Sequence, residues 1–368
     1  MAKIMIIGGL ARSLLLFRGD LIKGWLAQGH EVTAAAPEGG IKKELEKWGV
    51  KYIKIPLKRT GLNPAGDLFL LGFLIQLLRK KRPDYLFLYT VKPVIYGSLA
   101  ATFLPTCRVY SMITGLGYVF TSPEGGTFKK LVTAMYRAAL KRNRKVFFQN
   151  PDDAREFVNI KVIEEKKVVL VNGSGVNVDH FYRTRLPEGP VTFLLISRLL
   201  KEKGIIEYVE AARMVKEKYP AAGFRIIGWP LIGDPSTIKP KQLERWKEEG
   251  IVEILGETDD VRPIIAEASV YVLPSYREGT PRTVLEAMAM GRPVITTDVP
   301  GCRETVTGGL NGFLVPVKDA KALAAAMEKF LENPEQIGQM GRESRKLAEE
   351  KYDVHKINRV INETMGIV

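Results

Sequence analysis

Short runs of Val, Ile, Leu, Phe and Tyr recur along the chain. Each is followed by a stretch in which apolar positions return every three or four residues. Continuous apolar runs predict strands covered on both faces, and the 3.6-residue spacing predicts the helices that cover them. In the first half the strands fall at 3–8, 31–36, 50–56, 85–89, 108–113, 145–149 and 167–171. Helices fit between them at about 18–28, 40–48, 66–82, 92–103, 127–142 and 151–159. In the second half strands fall at 191–197, 223–227, 252–255, 270–274, 293–297 and 312–315. Their helices fit at about 204–218, 239–249, 259–267, 281–290, 319–331 and 334–350.

This strand–helix alternation runs twice, so the fold class is α/β with two doubly wound domains and parallel sheets. The break falls at 172–190, where Gly173, Gly175, Pro187, Gly189 and Pro190 cluster. The domains are expected at 1–172 and 173–352, with a last helix at about 353–366 that has the length to return to the first. Ligands are expected beyond the carboxyl ends of the strands, in the cleft between domains.

Composition narrows the class. The 368 residues are 46% hydrophobic and 26% charged, ordinary globular values that exclude a disordered or collagenous chain. Cys107 and Cys302 stand far apart in no CxxC spacing, which excludes a disulfide framework and a zinc cluster and suggests a reducing compartment. His30, His180 and His355 form no HExxH or HxH, so a histidine metal site is not expected. Met1 to Gly9 carries one lysine and a short apolar run, a first strand rather than a signal peptide. The longest apolar stretch, 68–78, is about half the ~20 residues that cross a bilayer, so no transmembrane segment is expected.

Charge changes the picture further. Residues 1–150 hold 24 Lys and Arg against 8 Asp and Glu, a net of +16; residues 151–368 hold 31 against 33, a net of −2. One half is thus suited to a polyanion. Two segments concentrate the charge: 68–78 runs into Arg79-Lys80-Lys81-Arg82, and 127–145 alternates Lys and Arg with apolar residues at helical spacing. An apolar stripe flanked by cations fits a helix in a lipid interface, and equally a core helix with a solvated basic face. The basic residues are not interleaved with exposed-looking aromatics and no RNA-binding signature appears, so nucleic acid is not the expected partner.

Three motifs carry chemistry. Gly8-Gly9 ends the first strand, where the missing Cβ atoms let backbone amides approach an anion. It is not GxGxxG, which counts against a dinucleotide site. Arg198 and Lys203 follow the first strand of the second domain, placing two cations near a strand's carboxyl end. The segment 274–286 ends a strand at Pro274 and carries Glu278-Gly279 in a loop. It then offers Thr280 as N-cap and Pro281 as first helical residue. Glu286 follows nearly two turns into a helix whose neighbours Val284, Leu285, Ala287 and Met288 read as core. A charge in so apolar a helix needs a partner.

The Arg198/Lys203 pair and the E-x7-E spacing of Glu278 and Glu286, with Gly-Thr-Pro after the first Glu, resemble the retaining glycosyltransferases of family 4. That family has the two-Rossmann GT-B fold. The resemblance covers essentially the whole chain, from the Gly8-Gly9 turn through the Lys81-Arg82-Pro83-Asp84 lead into a strand to Asn311-Gly312-Phe313-Leu314-Val315. It implies that Arg198 and Lys203 hold the donor diphosphate and that Glu286 binds the nucleotide ribose. Glu278, with the backbone at Gly279 and Thr280, would hold the donor sugar, and Gly8 and Gly9 would shape the diphosphate site. Glu278, Arg198 and Lys203 are the implied catalytic groups. Relatives carry a His-Gly turn after the fifth strand; here Thr114 stands in place of that His, so a general-base His is absent. The stretches Thr114-Gly115-Leu116-Gly117-Tyr118 and Thr90-Val91-Lys92-Pro93-Val94-Ile95-Tyr96-Gly97 look like the PglA-type branch, which adds N-acetylhexosamines to undecaprenyl-diphosphate-linked saccharides. That acceptor makes Arg12, Arg18 and Lys92 candidates for its phosphates and accounts for the basic half, with segments 68–82 and 127–145 against an anionic membrane surface on the cytoplasmic side.

The expected reaction is transfer from a UDP-sugar to a polyprenyl-diphosphate-linked saccharide. As the sugar C1–O bond breaks, charge building on the nucleoside diphosphate is met by two cations and a helix amino end. No D-x-D pattern occurs, consistent with a reaction needing no metal or cofactor, the UDP-sugar being a substrate. Retention would follow from front-face attack, as proposed for the family. The competing readings are a UDP-sugar epimerase of the same shape, a transferase using a GDP- or dTDP-sugar, and a nucleic-acid-binding protein. The shortage of His counts against the first, and salt-sensitive binding to DNA but not to liposomes would identify the last.

Overall fold

The computed structural model describes residues 1–58, 61, 63–116, 126–231 and 233–367. Two compact units result, one formed by Met1–Ser174 with His355–Val368 and the other by Gly175–Val354.

In the first unit, seven parallel strands are ordered β3-β2-β1-β4-β5-β6-β7. They are β1 (Lys3–Ile7), β2 (Glu31–Ala36), β3 (Lys51–Lys54), β4 (Tyr85–Tyr89), β5 (Arg108–Ile113), β6 (Lys145–Phe148) and β7 (Val168–Leu170). Each lies within a run predicted from the sequence, and β4 is buried at every position, which explains its lack of alternation. Two apolar layers cover the sheet. One gathers Leu70, Leu74 and Leu78 from the helix Pro64–Lys81 with Tyr136 and Leu140 from the helix Gly126–Leu140. The other holds Trp25, Phe87 and Tyr110 together with Ile357, Ile361 and Met365 of the last helix, Val354–Met365. Trp25 Nε1 donates to Asn362 Oδ1 at 2.8 Å, fixing that helix to this unit.

Six parallel strands of the second unit are ordered β10-β9-β8-β11-β12-β13. They are β8 (Thr192–Ile196), β9 (Gly223–Ile227), β10 (Glu253–Gly256), β11 (Val270–Leu273), β12 (Val294–Thr297) and β13 (Gly312–Val315). Both sheets reverse their strand order once, between β1 and β4 and between β8 and β11.

Three local expectations need correction. A helix at Ala11–Leu16 has no counterpart in the predicted pattern; it is six residues long with no side-chain cap and no acidic residue in its first turn. The helix expected at 92–103 is a π-helical turn at Pro93–Gly97, an α-helical turn at Ser98–Ala100 and a 3-10 turn at Ala101–Phe103. The helix expected to open with Thr280 as cap begins at Arg282 instead. Pro281 takes the cap position in extended conformation and no side chain caps the helix.

Candidate active site

In an open parallel sheet, a crevice forms beyond the strand ends where the order reverses. In the second unit that place is the carboxyl end of β8 and β11. After β8, Ser197 N–H donates to Ile227 O at 3.0 Å and Leu199 N–H to Trp229 O at 2.9 Å, so the chain carrying Arg198 runs along the exit of β9. A 3-10 turn, Lys201–Lys203, then leads to Gly204 at φ +71 and the helix Ile205–Lys218. A Cβ on Gly204 would lie 2.0 Å from Pro274 O. Only glycine lets the loop after β8 touch the loop after β11 backbone to backbone. Tyr276 N–H and Ser275 Oγ add donations to Glu202 O at 2.8 and 3.1 Å.

This stitching brings Lys203 Nζ to Glu278 Oε1 at 2.5 Å, with side chains 12% and 17% exposed. The two cations that the sequence places here are therefore unlike. Lys203 shares its charge with a carboxylate. The half-buried Arg198 guanidinium makes no hydrogen bond or ion pair among the described residues, and its planar fork suits a phosphate. Thr280 Oγ1 donates to Gly279 O at 2.9 Å.

Glu286 lies in the helix Arg282–Ala289 among side chains with no exposure: Val284, Leu285, Ala287 and Met288. The partner its burial requires is Arg282, whose Nε donates to Glu286 Oε1 at 2.8 Å. Burial pushes the Glu286 carboxyl above the ordinary carboxylate value, and the Arg282 charge pulls it partly back. Arg282 is not among the sequence candidates, yet its spacing four residues before Glu286 signals the pair. The helix start is tied to the sheet by Thr283 Oγ1, 2.7 Å from the Tyr271 hydroxyl, which also lies 3.1 Å from Ile196 O at the end of β8.

In the first unit, Gly8 and Gly9 follow β1 at its switch point. A Cβ on Gly8 would meet Tyr89 Oη at 2.3 Å, and one on Gly9 would meet Thr90 Oγ1 at 2.5 Å. The buried Tyr89 ring at the end of β4 thus packs where a Gly8 side chain would stand, whatever the glycines bind, while at Gly9 it is the Thr90 hydroxyl that would have to move. Thr114 follows β5 and is half-buried; Gly117 to Phe120 lie outside the described residues. Of the acceptor candidates, Arg12 is exposed. Lys92 Nζ is paired with Asp67 Oδ1 at 2.7 Å and largely buried. Arg18 is buried. It is 1% exposed, with Nη2 2.6 Å from Met112 Sδ and its guanidinium 5.4 Å from the Tyr89 ring centre.

The segments proposed for lipid contact also divide. Leu68 and Phe69 are exposed, whereas Leu70, Leu74, Leu77 and Leu78 are core. Phe128 and Leu131 are exposed beside Lys130. Arg137, Arg142 and Lys145 donate to backbone carbonyls, Arg142 to four of them, and so hold loops in place. Among the described residues, no helix is long and apolar enough to cross a membrane, and no group of three or more His, Cys, Asp or Glu could hold a metal ion.

Two doubly wound parallel units are the architecture of the GT-B fold, and the Anabaena HepE structure in complex with UDP and glucose shares it. Its TM-score is 0.81, with all of both chains covered at 20% identity. Residues 9–150 match the glycosyl transferase 4-like family model and residues 179–347 the model of glycosyl transferases group 1. The chain belongs to these glycosyltransferases. It is 27% identical over 337 residues, 87% of each chain, to a Campylobacter jejuni N,N'-diacetylbacillosaminyl-diphospho-undecaprenol alpha-1,3-N-acetylgalactosaminyltransferase. It is 23% identical over 299 residues, 77% of this chain and 76% of the other, to an Escherichia coli UDP-Gal:alpha-D-GlcNAc-diphosphoundecaprenol alpha-1,3-galactosyltransferase.

Proposed function

We propose that this glycosyltransferase moves an N-acetylhexosamine from a UDP-sugar to a polyprenyl-diphosphate-linked saccharide, with retention and without a metal, at the cytoplasmic face of the membrane. The observation that carries the reading is the Lys203–Glu278 pair at the β8/β11 switch point, with the half-buried Arg198 in the same loop after β8. The acceptor class rests on the Campylobacter and Escherichia relatives, both of which act on diphosphoundecaprenol-linked sugars by name.

On this reading a donor diphosphate meets Arg198 first, as the cation with no carboxylate of its own. Lys203 then exchanges part of its contact with Glu278 for a phosphate oxygen, which frees the Glu278 carboxylate to accept hydrogen bonds from sugar hydroxyls. Glu286 accepts from the ribose hydroxyls, with Gly279 and Thr280 lining the sugar. When the C1–O bond breaks, charge collects on the leaving diphosphate, where preorganised cations stabilise it most. The nucleophile is an acceptor hydroxyl attacking from the face that the diphosphate leaves. Gly8 and Gly9 keep the first unit's switch point open, and Arg12 and Lys92 serve the acceptor phosphates. Leu68, Phe69, Phe128 and Leu131, with the cations around them, dock the protein on an anionic leaflet.

The test is a thermal-shift screen across UDP-, GDP- and dTDP-sugars, followed by transfer of labelled sugar to a synthetic polyprenyl-diphosphate saccharide. UDP-N-acetylhexosamines are expected to raise Tm most and to label the lipid with the anomeric configuration of the donor. Stabilisation by GDP- or dTDP-sugars alone overturns the donor assignment, and an inverted product overturns retention.

A further inference from the structure

Glu207 lies in the first turn of the helix Ile205–Lys218 and is 9% exposed. Its Oε1 accepts from the Tyr276 hydroxyl at 2.6 Å. Its Oε2 is buried with no hydrogen-bond partner among the described residues. A buried carboxylate oxygen left without a protein partner is costly. Tyr276, for its part, is held on three sides. Its N–H donates to Glu202 O, its hydroxyl meets Glu207, and the Lys318 ammonium sits 5.0 Å from its ring centre. Burial and the Glu207 carboxylate together push the Tyr276 hydroxyl well above the ordinary phenol value, so it stays protonated as the donor. Two residues further along the same loop stands Glu278, in contact with Lys203.

We infer that Glu207 is a positioning residue: through Tyr276 it fixes the loop that presents Glu278 to Lys203, and thereby the donor sugar. The inference rests on the reading of Lys203 and Glu278 as donor-site residues. The short turn Lys201–Lys203 and the loop after β11 meet through main-chain contacts at Glu202 and Gly204, through Ser275 Oγ, which donates to Glu202 O, and through the Lys203–Glu278 pair. Those contacts set the depth of the loop. The Glu207–Tyr276 bond adds a side-chain grip on the loop two residues before Glu278. A misplacement of about 1 Å at a reacting centre can reduce turnover a hundredfold, so a lever of this kind matters although neither residue touches substrate.

The experiment compares Tyr276→Phe, Glu207→Gln and Glu207→Ala with the unaltered protein. It reads kcat, the KM for donor and acceptor separately, and Tm, with Lys203→Ala and Glu278→Gln alongside. Tyr276→Phe keeps the ring and its contact with Lys318; Glu207→Gln keeps an acceptor oxygen for the tyrosine. Tyr276→Phe and Glu207→Ala are expected to lower kcat by about ten- to a hundredfold and raise donor KM, with acceptor KM unchanged. Glu207→Gln should recover most of the lost rate, and Tm should not track activity across the three. Equal kcat and donor KM in all three, with Lys203→Ala and Glu278→Gln inactive, overturns the positioning role alone. Full activity of Lys203→Ala and Glu278→Gln overturns the donor-site reading itself. Loss of activity that follows Tm in step reduces Glu207 to a structural residue and likewise overturns the inference.

Discussion

Lys203 and Glu278 are separated by 75 positions in the chain and meet at 2.5 Å, mostly buried, where the ends of β8 and β11 lie side by side. A charge pair so placed is asymmetric under mutation. Removing one partner strands the other in a poorly solvated loop, at a cost of about 3–5 kcal/mol; removing both leaves no stranded charge. Lys203→Met is therefore expected to lower Tm and to reduce kcat by about 10²–10³ through loss of a leaving-group cation. The double variant Lys203→Met/Glu278→Gln is expected to recover Tm but not transfer. Thermal unfolding and initial rates on all four members of this cycle give the coupling. Recovery of transfer by the double variant would show that the pair is structural.

A second charge pair, Arg282 with Glu286, is expected to set a pH dependence. The Glu286 carboxyl is raised by burial, and only Arg282 opposes that shift, since the nearby Tyr271 hydroxyl is itself pushed far up. For an acid whose folded pKa is raised, the stabilising contribution is complete below the unfolded value of about 4.3 and is lost as pH rises through the folded pKa. With the ribose role proposed for Glu286, activity is expected to run the other way, because hydrogen bonds from a ribose are accepted best by the ionised form. Arg282→Met should move the acidic limb of kcat/KM to higher pH, and Glu286→Gln should remove that limb and lower kcat/KM at all pH. Identical limbs in the unaltered protein and Arg282→Met would mean that another group controls the profile.

What the sequence made legible follows from physics that acts locally. Strands such as β4 and β11 are buried at every position, so their apolar runs stand out without alternation. The helix Ala11–Leu16 leaves no signal because one and a half turns carry too few apolar positions to set a period, and Leu10 at its start is no capping residue. Propensity places Pro281 inside its helix. Tertiary ties at Thr283 set the helix start instead, leaving Pro281 extended. The site was legible as residue types but not as pairings. Arg198 and Lys203 look alike in the chain, and only the adjacency of β8 and β11 gives one of them a carboxylate. Arg18 reads as a candidate for an acceptor phosphate because an Arg in a basic half suits an anion, whereas the fold buries it, with an aromatic ring and a thioether among its contacts.

Gly204 offers a test of how tightly the two site loops are pressed together. Alanine there suffers twice: φ is +71, which costs about 1–2 kcal/mol, and its Cβ would overlap the carbonyl oxygen of Pro274. Gly49 is a matched control, at φ +86 with nothing within 4 Å of where a Cβ would stand. Gly49→Ala should lower Tm by a few degrees at most, while Gly204→Ala should lower it several times further and abolish transfer. Calorimetry on the two variants decides the matter; equal losses would mean that the contact yields without strain.

Docking on a lipid surface can be separated into its apolar and its charged parts, because the helix Pro64–Lys81 holds them at opposite ends. Leu68 and Phe69 are 70% and 65% exposed near its start. Arg79, at the other end, stacks on Phe103 with 5.5 Å between guanidinium and ring centre, beside the exposed Lys80 and Arg82. At 1.5 Å per residue the two ends stand roughly 17 Å apart, so a membrane reaches both only if the helix lies flat on it. Replacing Arg79, Lys80, Lys81 and Arg82 by Gln should then weaken flotation on anionic vesicles, by about 1 kcal/mol per charge, and leave the weak binding to neutral vesicles unchanged. Leu68→Ser/Phe69→Ser should weaken flotation on both vesicle types to a similar degree, with little dependence on salt. A water-soluble short-chain acceptor should be glycosylated at the normal rate by both variants, since neither touches the donor site. If the charge variant floats as well as the unaltered protein on anionic vesicles, only the apolar end makes contact and the helix stands upright; if both variants float normally, this helix is not the docking surface.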